Sequence, residues 1–289
     1  MGSVGAQDIP RDRAVAICYQ CVGQGDEDGG SFRKGHRRDA ERMNPAAIIT
    51  GGASGVGLAV AERLLDDGWY VAVVDSDRAA LAEAEDLLAG EEAIFLAADV
   101  TDEDEVADAF DAAVGAQGLF AALVNCAGIR REAPFEETSA ELFRQVLDIN
   151  LAGAFIAAQA ALARMGEGLS IVNLTSVSGL RANGGHAAYG ASKAGVKLMS
   201  EVMAMELADR GVRVNCVAVG LVETSTAAFD EDMERRRAWL EATPQRRAAE
   251  PRDIAAAVAY LLSPEAGFIT GHTLVVDGGF SVAGLPRED

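Results

Sequence analysis

Tyr189 and Lys193 stand four residues apart, and Ser176 stands thirteen residues before the tyrosine. On a helix over 187–210 the tyrosine and the lysine share one face, one turn apart. An ammonium in that position favours phenolate over phenol. A tyrosine ordinarily titrates near about 10, and each unit of lowering corresponds to roughly 1.4 kcal/mol. Brought toward neutrality, it becomes a general acid/base. Tyr-x-x-x-Lys also arises by chance on helices, so the pair takes its meaning from what surrounds it. Lysine is scarce in this chain, occurring only at 34, 193 and 197, and a compact ammonium is not interchangeable with a guanidinium.

A second group of residues suits a nucleotide. Thr50-Gly-Gly-Ala-Ser-Gly55-Val-Gly57 falls between a strand and a helix, where glycines let backbone N–H groups approach a pyrophosphate at a helix N-terminus. No Gly-Lys-Ser/Thr ending follows, so this is not a Walker loop. Asp75 closes the next strand, where an acid accepts hydrogen bonds from an adenosine ribose and repels a 2′-phosphate. No basic residue occupies 52–54, so NAD is favoured over NADP. A helix cap is the plainer role for an aspartate there, and Asp77 suits it better. Asp99 and Val100 end a third strand, beside an adenine or in a simple turn. Asn125-Cys-Ala-Gly128 ends a fourth, with small residues where a backbone passes close to a ligand. Asn150 stands inside a helical run between Ile149 and Leu151. A poor helix former there either satisfies local backbone or holds a kink and a water.

Alternating elements must position these groups. Strands are expected at 46–50, 70–75, 93–98, 120–125, 170–175, 212–218 and 273–277, with helices near 55–67, 78–88, 103–116, 139–164, 187–210 and 252–262. The strands read as unbroken apolar runs, which implies a parallel sheet covered on both faces. The fold class is α/β: one Rossmann-type, doubly wound domain over 43–289, with a seven-stranded parallel sheet. The first 42 residues lack sustained periodicity and read as a disordered or non-native extension, Met43 being a candidate start.

Composition excludes several partners. The chain has 289 residues, 49% of them apolar, and a formal charge of −20. With no basic block after residue 42, neither nucleic acid nor an anionic membrane is expected. No apolar run approaches the ~20 residues of a membrane span. Cys18-x-x-Cys21 has no second pair and His36 does not complete a zinc set, so no metal is expected. The cysteines read as reduced thiols of a cytoplasmic protein, with Cys126 and Cys216 in the core.

Taken together and in this order, the glycine turn, Asn125-Cys-Ala-Gly128, Asn150, Ser176, Tyr189-x-x-x-Lys193 and Val276-Asp-Gly-Gly279 resemble the short-chain dehydrogenase/reductase family over about 46–281. The resemblance implies Tyr189 as acid/base, Lys193 lowering its pKa and holding the nicotinamide ribose, Ser176 on the substrate oxygen, and Asn150 on a water leading to Lys193. It implies Gly51, Ser54, Gly55, Val56 and Gly57 around the phosphates, Asp75 on the ribose, and Asp99 and Val100 at the adenine. Asn125, Ala127 and Gly128 would line the cofactor's path, with Val222 and Thr224 at the carboxamide. Two departures stand out: Cys126 where the family has asparagine, and Val219 where it has proline. The implied activity is NAD-dependent interconversion of a secondary alcohol and a ketone. The alternatives are an NADPH-dependent 3-oxoacyl-thioester reductase and a catalytically silent dinucleotide-binding regulator. The substrate wall falls on Arg130, Arg131, Ser178, Asn183, His186, Phe229, Met233 and Trp239, with Arg130 as an attractor of anions and His186 as a polar contact or a plain loop residue. Phe229, Met233 and Leu240 form either an apolar lid or packing. The family resemblance also implies a homotetramer, or a dimer.

Overall fold

A computed structural model of the chain describes residues 44–164, 168–223 and 233–283. The tail over 1–42 with Cys18, Cys21 and His36, the candidate start at Met43, and Thr224 and Phe229 lie outside the described residues.

Seven parallel strands form one sheet in the order β3-β2-β1-β4-β5-β6-β7. They are β1 Ala46–Thr50, β2 Tyr70–Asp75, β3 Ala93–Ala97, β4 Ala122–Asn125, β5 Ser170–Ser176, β6 Arg213–Val219 and β7 Thr273–Val276. Alternate residues feed two cores. Ala47 and Ile49 of β1 pack toward one face, with Val60 and Leu64 of α1 (Gly55–Asp66) and Ile254 and Val258 of the C-terminal helix Pro251–Leu262. Ala46 and Ile48 pack toward the other face, with Val106 and Phe110. Because both faces are covered, the strands are largely apolar, with polar residues confined mainly to β5, β6 and the strand ends.

The remaining helices are α2 Arg78–Leu87, α3 Glu103–Gln117, α4 Ala140–Leu147, α5 Gly153–Arg164, α6 Ala187–Leu207 and α7 Met233–Ala242, and the C-terminal helix is α8. Three expectations are corrected here. The single helix over 139–164 is divided by a π-helical turn at Asp148–Ala152, centred on Asn150, whose side chain is drawn into hydrogen bonds outside its own helix. The same stretch, Ala140–Arg164, is long and apolar enough by composition to cross a membrane, contrary to the expectation of no such run. Its inner residues Ala157, Ala158 and Ala161 belong to the sheet-facing core. β4 is also shorter than expected: Phe120 packs edge-on against Tyr70 at 6.3 Å, ahead of the strand.

Strand order reverses between β1 and β4, and ligands of such sheets bind beyond the carboxyl ends at that point. A buried polar ladder crosses the sheet there. Thr50 Oγ1 donates to Asn125 Oδ1 (3.1 Å), Asn125 Nδ2 to Asn173 Oδ1 (2.8 Å), and Asn173 Nδ2 to Ser200 Oγ on α6 (2.7 Å).

Candidate active site

A cleft of about 900 Å³ opens at the carboxyl edge and runs from Asp75 to Tyr189. At its first end the glycine turn leaves β1. Gly51 has φ +63°, and a Cβ there would fall 2.6 Å from the Cα of Ala127; a Cβ at Gly57 would fall 2.0 Å from the carbonyl oxygen of Gly51. Only glycine lets this turn lie so close to the end of β4 and to its own helix. Ser54 caps α1 without a side-chain hydrogen bond, whereas Asp77 and Asp102 cap α2 and α3 with two each. The first-turn N–H groups of α1 therefore keep their capacity for an anion. This geometry fits a dinucleotide pyrophosphate.

Asp75 accepts from Ala53 N–H (3.2 Å) through Oδ2 and from Asp77 N–H (3.1 Å) through Oδ1. These bonds fix its carboxylate at the cleft wall, while Asp77 does the helix capping. Asp99 accepts from Thr101 N–H and Oγ1–H at 2.9 and 2.8 Å, so it is a turn residue that also lines the cleft. Val100, Ala127, Gly128 and Val222 line it as well.

Two sequence expectations change. Asn125 is buried in the polar ladder and does not line the cleft. Asn150 likewise stands behind the wall: its Oδ1 accepts from Ile129 N–H (2.7 Å), and its Nδ2 donates to the Ile129 carbonyl (2.9 Å) and to Ser192 Oγ (3.0 Å). Cys126 is half-buried, packed against one core as expected but also lining the cleft, while Cys216 is buried as expected. Burial pushes the Cys126 thiol up to about 12, with the Lys193 charge opposing.

At the other end, β5 delivers Ser176 and α6 delivers Tyr189 and Lys193. Thr175 Oγ1 donates to the Lys193 carbonyl (2.7 Å), and Lys193 Nζ donates to the Leu174 carbonyl (2.9 Å), pinning α6 to β5. Ser176 Oγ accepts from Ser178 N–H (3.1 Å) and donates to the Val219 carbonyl at a long 3.4 Å. The Ser176 hydroxyl faces the Tyr189 phenol and favours its ionised form.

The pKa of Tyr189 moves opposite to expectation. Burial raises it; the Ser176 hydrogen bond and the Arg130 charge oppose, and the Glu132 charge adds to the rise. Lys193 is itself pushed down to about 8 by burial, because its ammonium sits 6% exposed on a backbone carbonyl. Within the chain alone Tyr189 is a neutral phenol, a proton donor.

Beyond Tyr189 lies a polar cluster of which only Arg130, Ser178, Asn183 and His186 were expected. His186 packs edge-on against Tyr189 with ring centroids 5.7 Å apart. It is buried, with Ser178 Oγ 2.8 Å from Nδ1 and Glu132 Oε1 2.8 Å from Nε2. Glu132 also pairs with Arg130 and Arg235. Burial lowers the pKa of His186, with the charges of Arg130 and Arg235 adding to the fall and Glu132 opposing. Burial favours the acid form of Glu132, but hydrogen bonds and charge from His186 and Arg130 outweigh it and hold the carboxyl below its usual range. Arg130, expected to attract an anion, instead lies on Glu132. Arg131 and Trp239 line the cleft, and Asn183 donates to Ser178 Oγ (3.0 Å). Trp239 and Leu240 pack with Leu221 and Ala248, and Met233 is exposed. Sequence reasoning missed Glu132 and Arg235. The alternating charges of Arg131-Glu132 were a faint sign of pairing; nothing local marked Arg235, 49 residues from His186.

Comparison with known proteins agrees with this geometry. Residues 51–281 match a family model described as enoyl-(acyl carrier protein) reductase. The chain is 39% identical to 2,5-dichloro-2,5-cyclohexadiene-1,4-diol dehydrogenase LinX of Sphingobium indicum, covering 82% of this chain and 96% of the relative. It is 40% identical to galactitol 2-dehydrogenase (L-tagatose-forming) of Cereibacter sphaeroides, covering 82% and 94%. It is 38% identical to the 3-oxoacyl-[acyl-carrier-protein] reductase FabG of Staphylococcus epidermidis, covering 82% and 99%. Among solved structures, a short-chain type dehydrogenase/reductase from Mycobacterium ulcerans superposes with a TM-score of 0.78 at 32% identity, covering 83% of this chain and 90% of that one. With the motifs in one cleft and relatives of this closeness over nearly their whole length, the chain belongs to the short-chain dehydrogenase/reductase family of nicotinamide-dependent oxidoreductases.

Proposed function

We propose that this protein is an NAD-dependent dehydrogenase that interconverts a secondary alcohol and a ketone. The observation that carries the proposal is the single cleft joining the glycine turn and Asp75 at one end to Ser176, Tyr189 and Lys193 at the other. Relatives named for oxidising a cyclic diol and a sugar alcohol support an alcohol substrate.

The nicotinamide, when bound, supplies or takes the hydride. The chain does the rest. Ser176 and Tyr189 direct two O–H groups to one substrate oxygen, stabilising charge that develops there. Tyr189 gives its proton to that oxygen in reduction and takes it back in oxidation. Lys193 holds the nicotinamide ribose, and its ammonium becomes available to the phenolate as it forms. Asn150 acts by fixing the strand-four loop beside Lys193: a Cβ at Gly128 would lie 3.0 Å from Asn150 Oδ1 and 3.5 Å from Lys193 Nζ. The first-turn backbone of α1 holds the pyrophosphate. Asp75, set with Asp77 at the wall and without a basic residue at 52–54, accepts the adenosine ribose hydroxyls and repels a 2′-phosphate.

The catalytic unit is residues 43–289, assembled as a cytoplasmic homotetramer with free thiols at 126 and 216. Tyr189→Phe is expected to lower kcat at least ~100-fold while NAD binding, followed by fluorescence titration, is retained. Turnover near that of the parent enzyme would refute the assignment of Tyr189.

A further inference from the structure

We infer that the substrate carries a second hydroxyl besides the reacting carbinol, and that Ser178 recognises it as a hydrogen-bond acceptor. The inference rests on the dehydrogenase reading above and deepens it.

Hydrogen polarity runs in one direction through the cluster beside Tyr189. His186 Nε2 faces a Glu132 oxygen at 2.8 Å and an Arg235 nitrogen at 3.4 Å. A bare nitrogen lone pair held 2.8 Å from an ionised carboxylate would be repelled, so Nε2 carries the hydrogen and donates to Glu132. The ring is neutral, so Nδ1 is an acceptor. Ser178 Oγ, 2.8 Å away, therefore gives its one hydrogen to Nδ1. Asn183 Nδ2 fills one of its lone pairs at 3.0 Å. Among the described residues one lone pair is left without a partner, on a residue that lines the cleft and is 8% exposed.

The two serines thus differ in sign. The hydrogen of Ser176 makes only a long 3.4 Å contact with the Val219 carbonyl and otherwise faces Tyr189, its partner on the reacting oxygen, so it can turn to the oxygen that becomes a carbonyl. The hydrogen of Ser178 is committed, so Ser178 accepts from an oxygen that stays a hydroxyl. The two residues share one turn, with Ser178 N–H donating to Ser176 Oγ (3.1 Å), and both line the cleft. A ketone, ether or carboxylate oxygen facing Ser178 would meet a lone pair. Ser178 touches the substrate in this account; His186 and Glu132 are positioning residues, with Arg130 and Arg235 keeping Glu132 ionised.

The test uses the full chain with NAD and, in parallel, NADP. It compares 1,2- and 1,3-diols of three to six carbons, open-chain and cyclic, with their monools and their monomethyl ethers. The ether keeps an oxygen but removes its hydrogen. The diols are expected to exceed both analogues in kcat/KM by about 10- to 100-fold, with the ether no better than the monool. Ser178→Ala should bring that ratio close to one. His186→Gln, which keeps an acceptor for Ser178 and a donor for Glu132, should retain the preference, and His186→Leu should lose it. Turnover of monools or ethers as good as that of diols overturns the inference and leaves the dehydrogenase reading standing. A preference that survives Ser178→Ala or His186→Leu also overturns it. No turnover of any member with either cofactor overturns the dehydrogenase reading, and this inference with it. The parent-enzyme comparison decides the matter even where a variant fails to fold.

Discussion

Lys193 occupies a place where an ammonium is costly. It is 6% exposed, holds a backbone carbonyl, and is pushed down to about 8 from 10.5 by burial. Between those two values the unfolded chain keeps a proton that the folded chain has lost, so stability rises with pH across that window. Below it the full cost is present, roughly 2–4 kcal/mol. Lys193→Met is therefore expected to melt several degrees higher than the parent at pH 7 and to lose turnover, as functional residues held against stability do. The gap between the two proteins should narrow from pH 8 to 10.5. A variant that melts lower at pH 7 would refute this account of Lys193.

At the scale of elements, the π-helical turn at Asp148–Ala152 joins the strand-four loop to α6 through one amide. Asn150 makes three hydrogen bonds, to the N–H and carbonyl of Ile129 and to Ser192. Asn150→Ala leaves those backbone groups without partners at a cost of about 2–3 kcal/mol. A lower melting temperature and at least a ~10-fold fall in kcat/KM are expected, measured on the soluble protein; an unchanged melt would show that the turn holds without the amide. Asn150 also shows what sequence can and cannot give. A poor helix former amid apolar neighbours asked for a reason, yet its partners lie 21 and 42 residues away. The same division holds elsewhere. The glycine turn, Asp75 and Tyr-x-x-x-Lys were legible because each depends on local spacing. Asn125 in the polar ladder and Glu132 among two arginines and a histidine were not, because their roles come from packing across the fold.

Over the whole molecule, exposed apolar side chains gather on helices. Leu198, Val202 and Met205 stand exposed on α6 at intervals of four and three residues, with Phe143 on α4 and Phe155 on α5 also exposed; near the last strand are Tyr260, Phe268, Val275 and Val282. Such faces mark association, in keeping with the tetramer proposed above. Val202→Glu with Met205→Glu is expected to reduce the mass found by light scattering from four chains to two. An unchanged mass would place the interfaces elsewhere.

The polar ladder from Thr50 through Asn125 and Asn173 to Ser200 has one more consequence. It ties β1, β4, β5 and α6 by side chains that water does not reach. Parting any one of these elements from its neighbour strands a buried amide or hydroxyl, a penalty comparable to a sizeable fraction of total stability. The floor of the cleft therefore has no inexpensive partial opening. Its amide protons are expected to exchange with solvent only when the domain unfolds as a whole, so that hydrogen exchange there should report the stability of the entire fold.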